Sequence, residues 1–314
     1  MLEQEAETDA VADDDPEGRR EVAVAPAEQA ITPPAPVVVI RPTHGWRAVD
    51  VRELWRYREL LFYLTWREIS VRYKQTVLGV LWAIIQPLMT TGLFAALFAI
   101  LMGRGNEPTA QGVPYVVSTF CAMLPWQLFA NSLSQSGQCL ISHNHMITKV
   151  YFPRLILPFS AVLATLADFA VAFVAFLVVM LCYGVVPGWA IVTLPLFILM
   201  AIVASLAVGL WLSALSAIYR DFRYVIPFLV QFGMFASPVV YATSRLEGKL
   251  PEWALVVYGL NPMVGVIEGF RWALLDTSSP PGPLFAASAT MTVVIFVGGM
   301  FYFRRMERTF ADVI

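Results

Sequence analysis

The sequence predicts an all-α integral membrane protein with six transmembrane helices, an N-terminal amphipathic interface helix and two short external helices of the re-entrant type. Of its 314 residues, 58% are hydrophobic and only 14% are charged, whereas soluble proteins carry about 25% charged residues. No Asp, Glu, Lys or Arg occurs in the 51 residues from Phe169 to Tyr219, and one helix needs only ~20 residues to cross a bilayer. These runs exclude a soluble α/β enzyme.

Residues 1–45 differ from the rest of the chain in charge and composition. The first 40 residues contain ten acidic residues and two arginines, and the remainder contains 13 acidic and 19 basic residues. Such a segment buries too little apolar surface to fold, which predicts a disordered acidic cytoplasmic tail, with a regulatory docking role as the alternative. It lacks the apolar core of a signal peptide. The basic residues lie beside membrane segments, so nucleic acid is excluded as a partner.

A basic amphipathic helix is predicted within residues 46–75. Leu54, Tyr57, Leu61 and Leu64 fall on one face, tryptophans flank them, and arginines lie opposite. A basic helix with tryptophan at its boundary is typical of the cytoplasmic membrane interface. The alternative is a soluble helix packed on a partner.

Six apolar segments form a transmembrane domain predicted over residues 76–308, followed by a cytoplasmic C-terminus at 309–314. A Gly- and Pro-rich turn at 184–189 separates the third span from the fourth. Pro87 and Pro238 interrupt helix hydrogen bonding in the first and fifth spans. The predicted spans are 76–102, 115–141, 155–183, 190–218, 224–243 and 284–303.

The distribution of basic residues predicts that both termini are cytoplasmic. With six spans, 15 of the Lys and Arg residues fall on the side of the termini and four on the other side. Short cytoplasmic connections carry the excess of Lys and Arg in membrane proteins. The turn between the fourth and fifth spans, which contains Arg220, Asp221 and Arg223, is therefore expected to be cytoplasmic.

The external connection at 244–283 predicts two short helices. Its apolar stretches are broken by Gly259, Asn261 and Pro262, and each is too short to span a bilayer. They are interpreted as helices that dip into the outer face or lie along it. Glu268 and Arg271 are three residues apart and can pair on the second helix.

Asp168 is the one acidic residue deep inside a predicted span, and two interpretations remain open. It lines a water-filled or proton-linked route, or it is a neutral, hydrogen-bonded residue supported by Thr165. The spans contain no Lys or Arg that could pair with it, which weakens the idea of a proton relay.

No metal site or catalytic cluster is predicted from the cysteines and histidines. Cys121, Cys139 and Cys182 have neither paired nor metal-ligand spacing and are interpreted as small buried side chains. His143 and His145 have no neighbouring carboxylate or cysteine and are interpreted as interfacial loop residues.

Aromatic side chains are candidates for a transport path. Ring faces can stack on the C–H faces of sugars without holding them tightly, although for any single ring lipid contact is the alternative. The candidates are Trp82, Phe94, Phe98, Phe232, Phe235 and Tyr241.

The chain lacks the motifs of an ATPase or hydrolase. The only Gly-Lys pair, Gly248-Lys249, is followed by Leu250 and has no glycine at the spacing of a Walker A motif. Neither G-x-S-x-G nor H-E-x-x-H occurs. We expect no cofactor on this chain, with ATP and Mg²⁺ bound by a partner subunit.

Four stretches, in this order, resemble one family. They are LWRYRELLFYLTWREISVRYKQTVLGVLWAIIQPL at 54–88, TKVYFPRLILP at 148–158, YRDFRYVIPFLVQFGMFASPVVY at 219–241 and LNPMVGVIEGFRWALL at 260–275. The chain is similar over about 50–308 to the transmembrane permease subunits of ABC exporters for cell-surface polysaccharides such as O-antigen, capsule and teichoic acid.

The resemblance implies a partner and a substrate. The chain would form a homodimeric pore bound to two copies of a separate ATPase subunit in a bacterial cytoplasmic membrane. The substrate would be a glycan linked to a polyprenyl pyrophosphate. The residues implied in ATPase coupling are His143, His145, Lys149, Tyr151, Phe152, Arg154, Arg220, Asp221 and Arg223. Those implied at the outer mouth are Asn261, Pro262, Glu268 and Arg271.

An arginine-rich surface at the inner leaflet is compatible with such a substrate, because guanidinium groups fork onto phosphate oxygens. Anchoring to anionic lipid headgroups is the alternative for each residue. The candidates are Arg52, Arg56, Arg58, Arg67, Arg72 and Lys74.

Two other functions remain as alternatives. A related permease could export a small lipid or drug, because the sequence does not define the channel width. A membrane-embedded transferase would need acid–base groups at one membrane depth, and Asp168, Glu268 and His143 are predicted at three different depths.

Overall fold

The structure, a computed structural model, describes residues 55–74, 79–102, 113–241, 243, 251–276 and 282–313. The predicted tail at 1–45 and Arg52 lie outside these residues. The described residues are almost entirely helical. The helices are α1 (Arg58–Lys74), α2 (Gly79–Met102), α3 (Tyr115–Ser142), α4 (Asn144–Lys149), α5 (Ile156–Cys182), α6 (Leu194–Ile218), α7 (Phe222–Ala236), α8 (Glu252–Gly259), α9 (Pro262–Leu275) and α10 (Pro283–Val313).

Four of the described helices are long and apolar enough to cross a membrane. They are α3, α5, α6 with the 3₁₀ turn before it, and α10; the pair α8 and α9, bent by 85°, makes a fifth if counted as one span. Helix α2 has 24 residues, but the structure describes only some of its side chains. The all-helical membrane fold is confirmed, and the count of six spans stays a prediction.

Helix α7 is shorter than the predicted fifth span. It has 15 residues, about 22 Å at 1.5 Å per residue, against a hydrocarbon core of about 30 Å. It ends at Ala236, and Ser237 is extended with φ −112° and ψ 155°. The residue before a proline is disfavoured in helical conformation, so the Ser237-Pro238 pair ends the helix rather than kinking it.

The turn between α5 and α6 matches the prediction from Gly and Pro. Gly184 has φ +71°, in the left-handed region where a side chain is strained. A 3₁₀ turn over Trp189–Thr193 then leads into α6. Two short helices, α8 and α9, are present where the sequence predicts them, separated at Leu260 and Asn261; their external position stays a prediction.

Helix α3 lies at the centre of the fold and packs on α2, α5, α6, α7 and α9. Small polar residues line its contacts, and the Ser132 hydroxyl is 2.8 Å from that of Thr165 on α5. Small residues let helix backbones approach closely where the hydrophobic effect is absent. Cys121 and Cys139 are buried in this helix, as predicted. Cys182 is exposed, and the prediction that it is buried is wrong.

We expect Gly209→Val to disrupt the packing of α6 on α3. A Cβ atom at Gly209 would lie 2.5 Å from the Ser136 Oγ and 3.2 Å from its Cβ. Overpacking of this kind costs about 1–3 kcal/mol. Gly92→Val is the matched control, because a Cβ there meets nothing within 4 Å. Thermal unfolding in detergent measures the difference, and equal stability of both variants would contradict it.

Helix α1 packs against α5 more than against any other described helix. Leu64 is 1% exposed in a cluster with residues of α3, α5, α6 and α10. Leu60 also packs against this cluster. Large aromatic side chains of α1, namely Trp55, Phe62, Tyr63 and Trp66, are exposed. The helix therefore has one face on the bundle and an aromatic face turned away from it.

Candidate functional site

Three of the residues implied in ATPase coupling lie on the surface around α4. This short helix follows α3, and His145, Lys149 and Tyr151 are exposed, Tyr151 to 72%. Val150, between them, is 58% exposed. Exposed large apolar residues beside a cation are typical of a protein contact surface.

Three others of the same set turn inward, which corrects the prediction for them. Phe152 is 5% exposed within the hydrophobic cluster under α1. The Arg154 backbone N–H donates to the Glu307 carboxylate at 3.1 Å, and its guanidinium donates to the Glu307 carbonyl. Arg154 thus ties the start of α5 to α10. The physical reason is that burial of the Phe152 ring and pairing of Arg154 with Glu307 are more favourable than exposing both side chains to solvent.

His143 is the third, and it connects α3 to α1. Its Nδ1 donates to the Cys139 carbonyl at 2.8 Å, because a carbonyl oxygen can only accept. Its Nε2 then faces Arg67 and lies 3.3 Å from the Glu68 carboxylate. The hydrogen bond to His143, with the nearby guanidinium groups, lowers the pKa of Glu68 despite burial.

The turn at Arg220, Asp221 and Arg223 is exposed in full. It joins α6 to α7, and Asp221 occupies the N-cap position without a side-chain capping bond. Its carboxylate makes no ion pair with a described residue. The predicted role of this turn in ATPase coupling stays a prediction.

Asp168 pairs with Arg72 and Tyr73 at the end of α1. The guanidinium of Arg72 donates to Oδ2, and the Tyr73 hydroxyl donates to Oδ1. Thr165 instead bonds Ser132 and the Val162 carbonyl. The sequence predicts no cationic partner for Asp168 within the spans, but Arg72 of α1, outside the predicted spans, pairs with it. Burial and the bond to Asp168 raise the pKa of Tyr73.

Arg72 is thus paired with Asp168, and its predicted role in holding a pyrophosphate stays a prediction. Arg67 is also engaged, since it contacts His143 and lies 4.0 Å from Glu68. Arg56, Arg58 and Lys74 are exposed, with the Arg58 guanidinium 5.4 Å from the Trp55 ring. Of the five basic candidates on described residues, three are therefore exposed and two contact other side chains.

The residues predicted at the outer mouth hold the end of α7, and their position at the mouth stays a prediction. Arg271 is 3% exposed and donates to the carbonyls of Val239 at 3.0 Å and Tyr241 at 3.1 Å. The predicted pair is confirmed, with Arg271 3.0 Å from Glu268. Glu268 also accepts from the Thr243 N–H at 3.0 Å.

Further donors complete this scaffold. The Asn261 amide donates to the Ala236 carbonyl at 3.2 Å, and the Tyr115 hydroxyl donates to that of Val240 at 3.0 Å. Asn261 also caps α9 by accepting from the Met263 N–H at 3.0 Å, with Pro262 at the first helical position. Non-helical backbone at membrane depth is tolerated only where its polar groups are satisfied within the protein, which is the physical reason that these side chains turn inward.

The aromatic candidates divide into exposed and packed residues. Trp82, Phe232 and Phe235 are 57%, 63% and 57% exposed. Phe94 packs against the core, as does Tyr241, whose hydroxyl donates to the Phe235 carbonyl at 3.2 Å. The side chain of Phe98 lies outside the described residues.

A polar face on α3 was missed by the sequence reasoning. The side chains of Gln127 and Asn131 are partly exposed, whereas most of the helix is buried. They line a cavity of about 200 Å³ together with Arg72, Trp82, Gln86 and Asp168. The signal was present, because polar residues recur at 127, 131, 134, 135, 138 and 142, at helical spacing in a span of low hydropathy, 1.2.

The described residues contain no group of three or more His, Cys, Asp or Glu side chains that could hold a metal ion. Asp168, Glu268 and His143 also belong to three separate networks, with different partners. No acid–base cluster therefore arises among them.

Comparison with known proteins gives consistent matches. The sequence model of the family described as ABC-2 type transporter matches residues 59–275. The O-antigen export system permease protein RfbA of Myxococcus xanthus is 30% identical over 265 residues, covering 84% of this chain and 98% of that protein. RfbA of Klebsiella pneumoniae is 26% identical, covering 82% and 95%. The polysialic acid transport protein KpsM of Escherichia coli is 23% identical, covering 77% and 91%.

Proposed function

The chain belongs to the ABC-2 type transporter family, and we propose that it is the membrane-spanning permease half of an ATP-driven exporter of lipid-linked polysaccharide. The carrying observation is that similarity extends over nearly the whole length of permeases named for O-antigen export. The substrate is a glycan anchored to a polyprenyl pyrophosphate, moved across the cytoplasmic membrane of a bacterium, and both termini are cytoplasmic.

The energy source is a separate subunit. This chain carries no phosphate-binding glycine loop in its sequence, so ATP and Mg²⁺ are bound by a partner ATPase, two copies of which serve a homodimer of this chain. The chain itself is a transport subunit and not an enzyme.

The docking surface for the ATPase combines two exposed segments. One is the α4 region with His145, Lys149 and Tyr151, and the other is the turn with Arg220, Asp221 and Arg223. Both segments follow predicted spans on the side that the basic residues assign to the cytoplasm. Charged side chains without internal partners are available for pairing across such a contact.

We expect Asp221→Ala to uncouple transport without destabilising the fold. The Asp221 carboxylate has no bond within the described chain, so its removal changes stability by less than about 0.5 kcal/mol. Loss of one hydrogen bond to a charged group across the ATPase contact lowers export roughly tenfold. Export per assembled transporter measures this, with the exposed Glu59→Ala as control. Poor membrane assembly, or normal export, would contradict it.

The transport path runs beside α7. Tyr224, Phe228, Phe232 and Phe235 form one exposed stripe at helical spacing, and the rings of Phe228 and Phe232 stack with centroids 6.2 Å apart. Flat apolar faces let a glycan slide without tight binding. In the homodimer, the stripe of one protomer faces that of the other.

The test has two arms. The chain is purified with and without its co-expressed ATPase, and ATP hydrolysis is measured. Robust hydrolysis by the chain alone would contradict the proposal that a separate subunit hydrolyses ATP. In a strain that lacks the chain, lipid-linked glycan is expected to accumulate in the cytoplasm and to be cleared when the chain is restored. Accumulation of a small lipid or drug instead identifies the alternative function.

A further inference from the structure

A cavity within the membrane bundle lies between α1, α2, α3 and α5. Its volume is about 200 Å³, or some seven times the ~30 Å³ share of one water molecule. Gln127, one of its walls, lies near the middle of the 28-residue helix α3. The cavity therefore has room for a group of monosaccharide size beside the middle of α3.

Three side-chain amides line this cavity and are available to a ligand. The side-chain amides of Gln86, Gln127 and Asn131 form no hydrogen bond with any described residue. An amide facing hydrocarbon without a partner costs several kcal/mol. Three amides converging on one cavity of a helical membrane bundle are consequently expected to face water or a polar ligand.

The charges of the cavity select the class of ligand. Its one guanidinium, on Arg72, is paired with its one carboxylate, on Asp168. The lining is thus neutral overall, which is unsuited to a pyrophosphate. Amides donate and accept equally, as sugar hydroxyls do. Trp82, 57% exposed, and Phe169 supply ring faces on the same lining.

We propose that this cavity is a binding subsite for one neutral sugar unit of the exported glycan, held by the amides of Gln86, Gln127 and Asn131 and by the ring of Trp82. The proposal rests on the proposed export function and deepens it. The subsite contacts the glycan during passage and favours neutral over charged sugar units.

The first experiment measures export by Gln127→Met with Asn131→Leu in the otherwise intact transporter. Both changes keep the side-chain shape and remove the amides, and removing about two neutral hydrogen bonds lowers export roughly tenfold. The amount of folded chain stays unchanged, because these amides have no partners to lose. Gln135→Met is the matched control, since Gln135 is an exposed amide of the same helix outside this cavity. Normal export by the double variant, or an equal loss in the control, overturns the subsite.

The second experiment identifies what occupies the cavity. Trp82 is replaced by the photo-crosslinker p-benzoylphenylalanine in cells whose glycan is labelled with radioactive glucose. After irradiation, label is expected on this chain, and not on a chain carrying the crosslinker at the exposed Trp189. An adduct of lipid alone, or no adduct while glycan export continues, overturns the subsite and leaves the export function standing. Failure of the wild-type chain to restore export in the deletion strain overturns both.

Discussion

Asp168→Ala is expected to loosen α1 from α5 and to lower the stability of the whole bundle. The carboxylate binds both Arg72 and Tyr73, and its removal takes the ion pair from a guanidinium that is only 27% exposed. Breaking a buried pair costs 3–5 kcal/mol; with partial exposure, we expect about 1–3 kcal/mol. The shift in thermal unfolding of the detergent-solubilised chain measures it.

A double-mutant cycle separates the ion pair from general damage. Asp168→Ala combined with Arg72→Leu should recover part of the stability lost by Asp168→Ala alone, because no unpaired charge then remains. Tyr73→Phe removes one hydroxyl and should cost about 1 kcal/mol. Strictly additive effects of the Asp168 and Arg72 changes would show that the two side chains do not interact.

Arg271→Ala is expected to have the largest effect of any single substitution, because its guanidinium holds the end of α7. It is 3% exposed and donates to two backbone carbonyls and to Glu268. Without it, the carbonyls of Val239 and Tyr241 lose a donor and the Glu268 carboxylate loses its charge partner. We expect a cost of about 3–5 kcal/mol and a large loss of assembled protein.

Two further variants sharpen this result. Arg271→Lys should restore little, because an ammonium group cannot reproduce the planar fork that reaches Glu268 and both carbonyls. Arg220→Ala, which removes an exposed guanidinium, is the matched control and should leave thermal stability within about 0.5 kcal/mol of wild type. Wild-type stability of Arg271→Ala would refute the assigned role of the residue.

The local features of the fold were predictable because each depends on neighbouring residues. The Gly-Pro turn, the two short helices broken near Asn261 and the pair between Glu268 and Arg271 all follow from spacings of a few residues. The fifth span was predicted too long because hydropathy continues through residues 237–243, whereas the helix ends at Ala236. Hydropathy measures how apolar a segment is. It does not show that side chains of other helices donate hydrogen bonds to the carbonyls of residues 239–241 and so allow the helix to end.

The site residues were predicted less completely, because exposure is a property of the packed bundle. Lys149 and Tyr151 are exposed, but the neighbouring Phe152 is buried and Arg154 is bound to Glu307, 153 residues away. Residue type alone does not show that Lys149 is exposed to a partner, whereas Arg154 binds α10. The free amides of α3 could have been found from their helical spacing, since it places them on one face.

The sequence by itself determined that this chain is a helical membrane protein of the ABC-2 type transporter family, without its own ATP motif, because hydropathy, length and motifs are properties of the linear chain. Only the tertiary structure decided that Asp168 pairs with Arg72, 96 residues earlier, that Arg271 ends α7, and that three amides from α2 and α3 face one cavity. The physical reason is that polar groups in a membrane must find partners within the protein, and the choice among distant partners is made by how the helices pack.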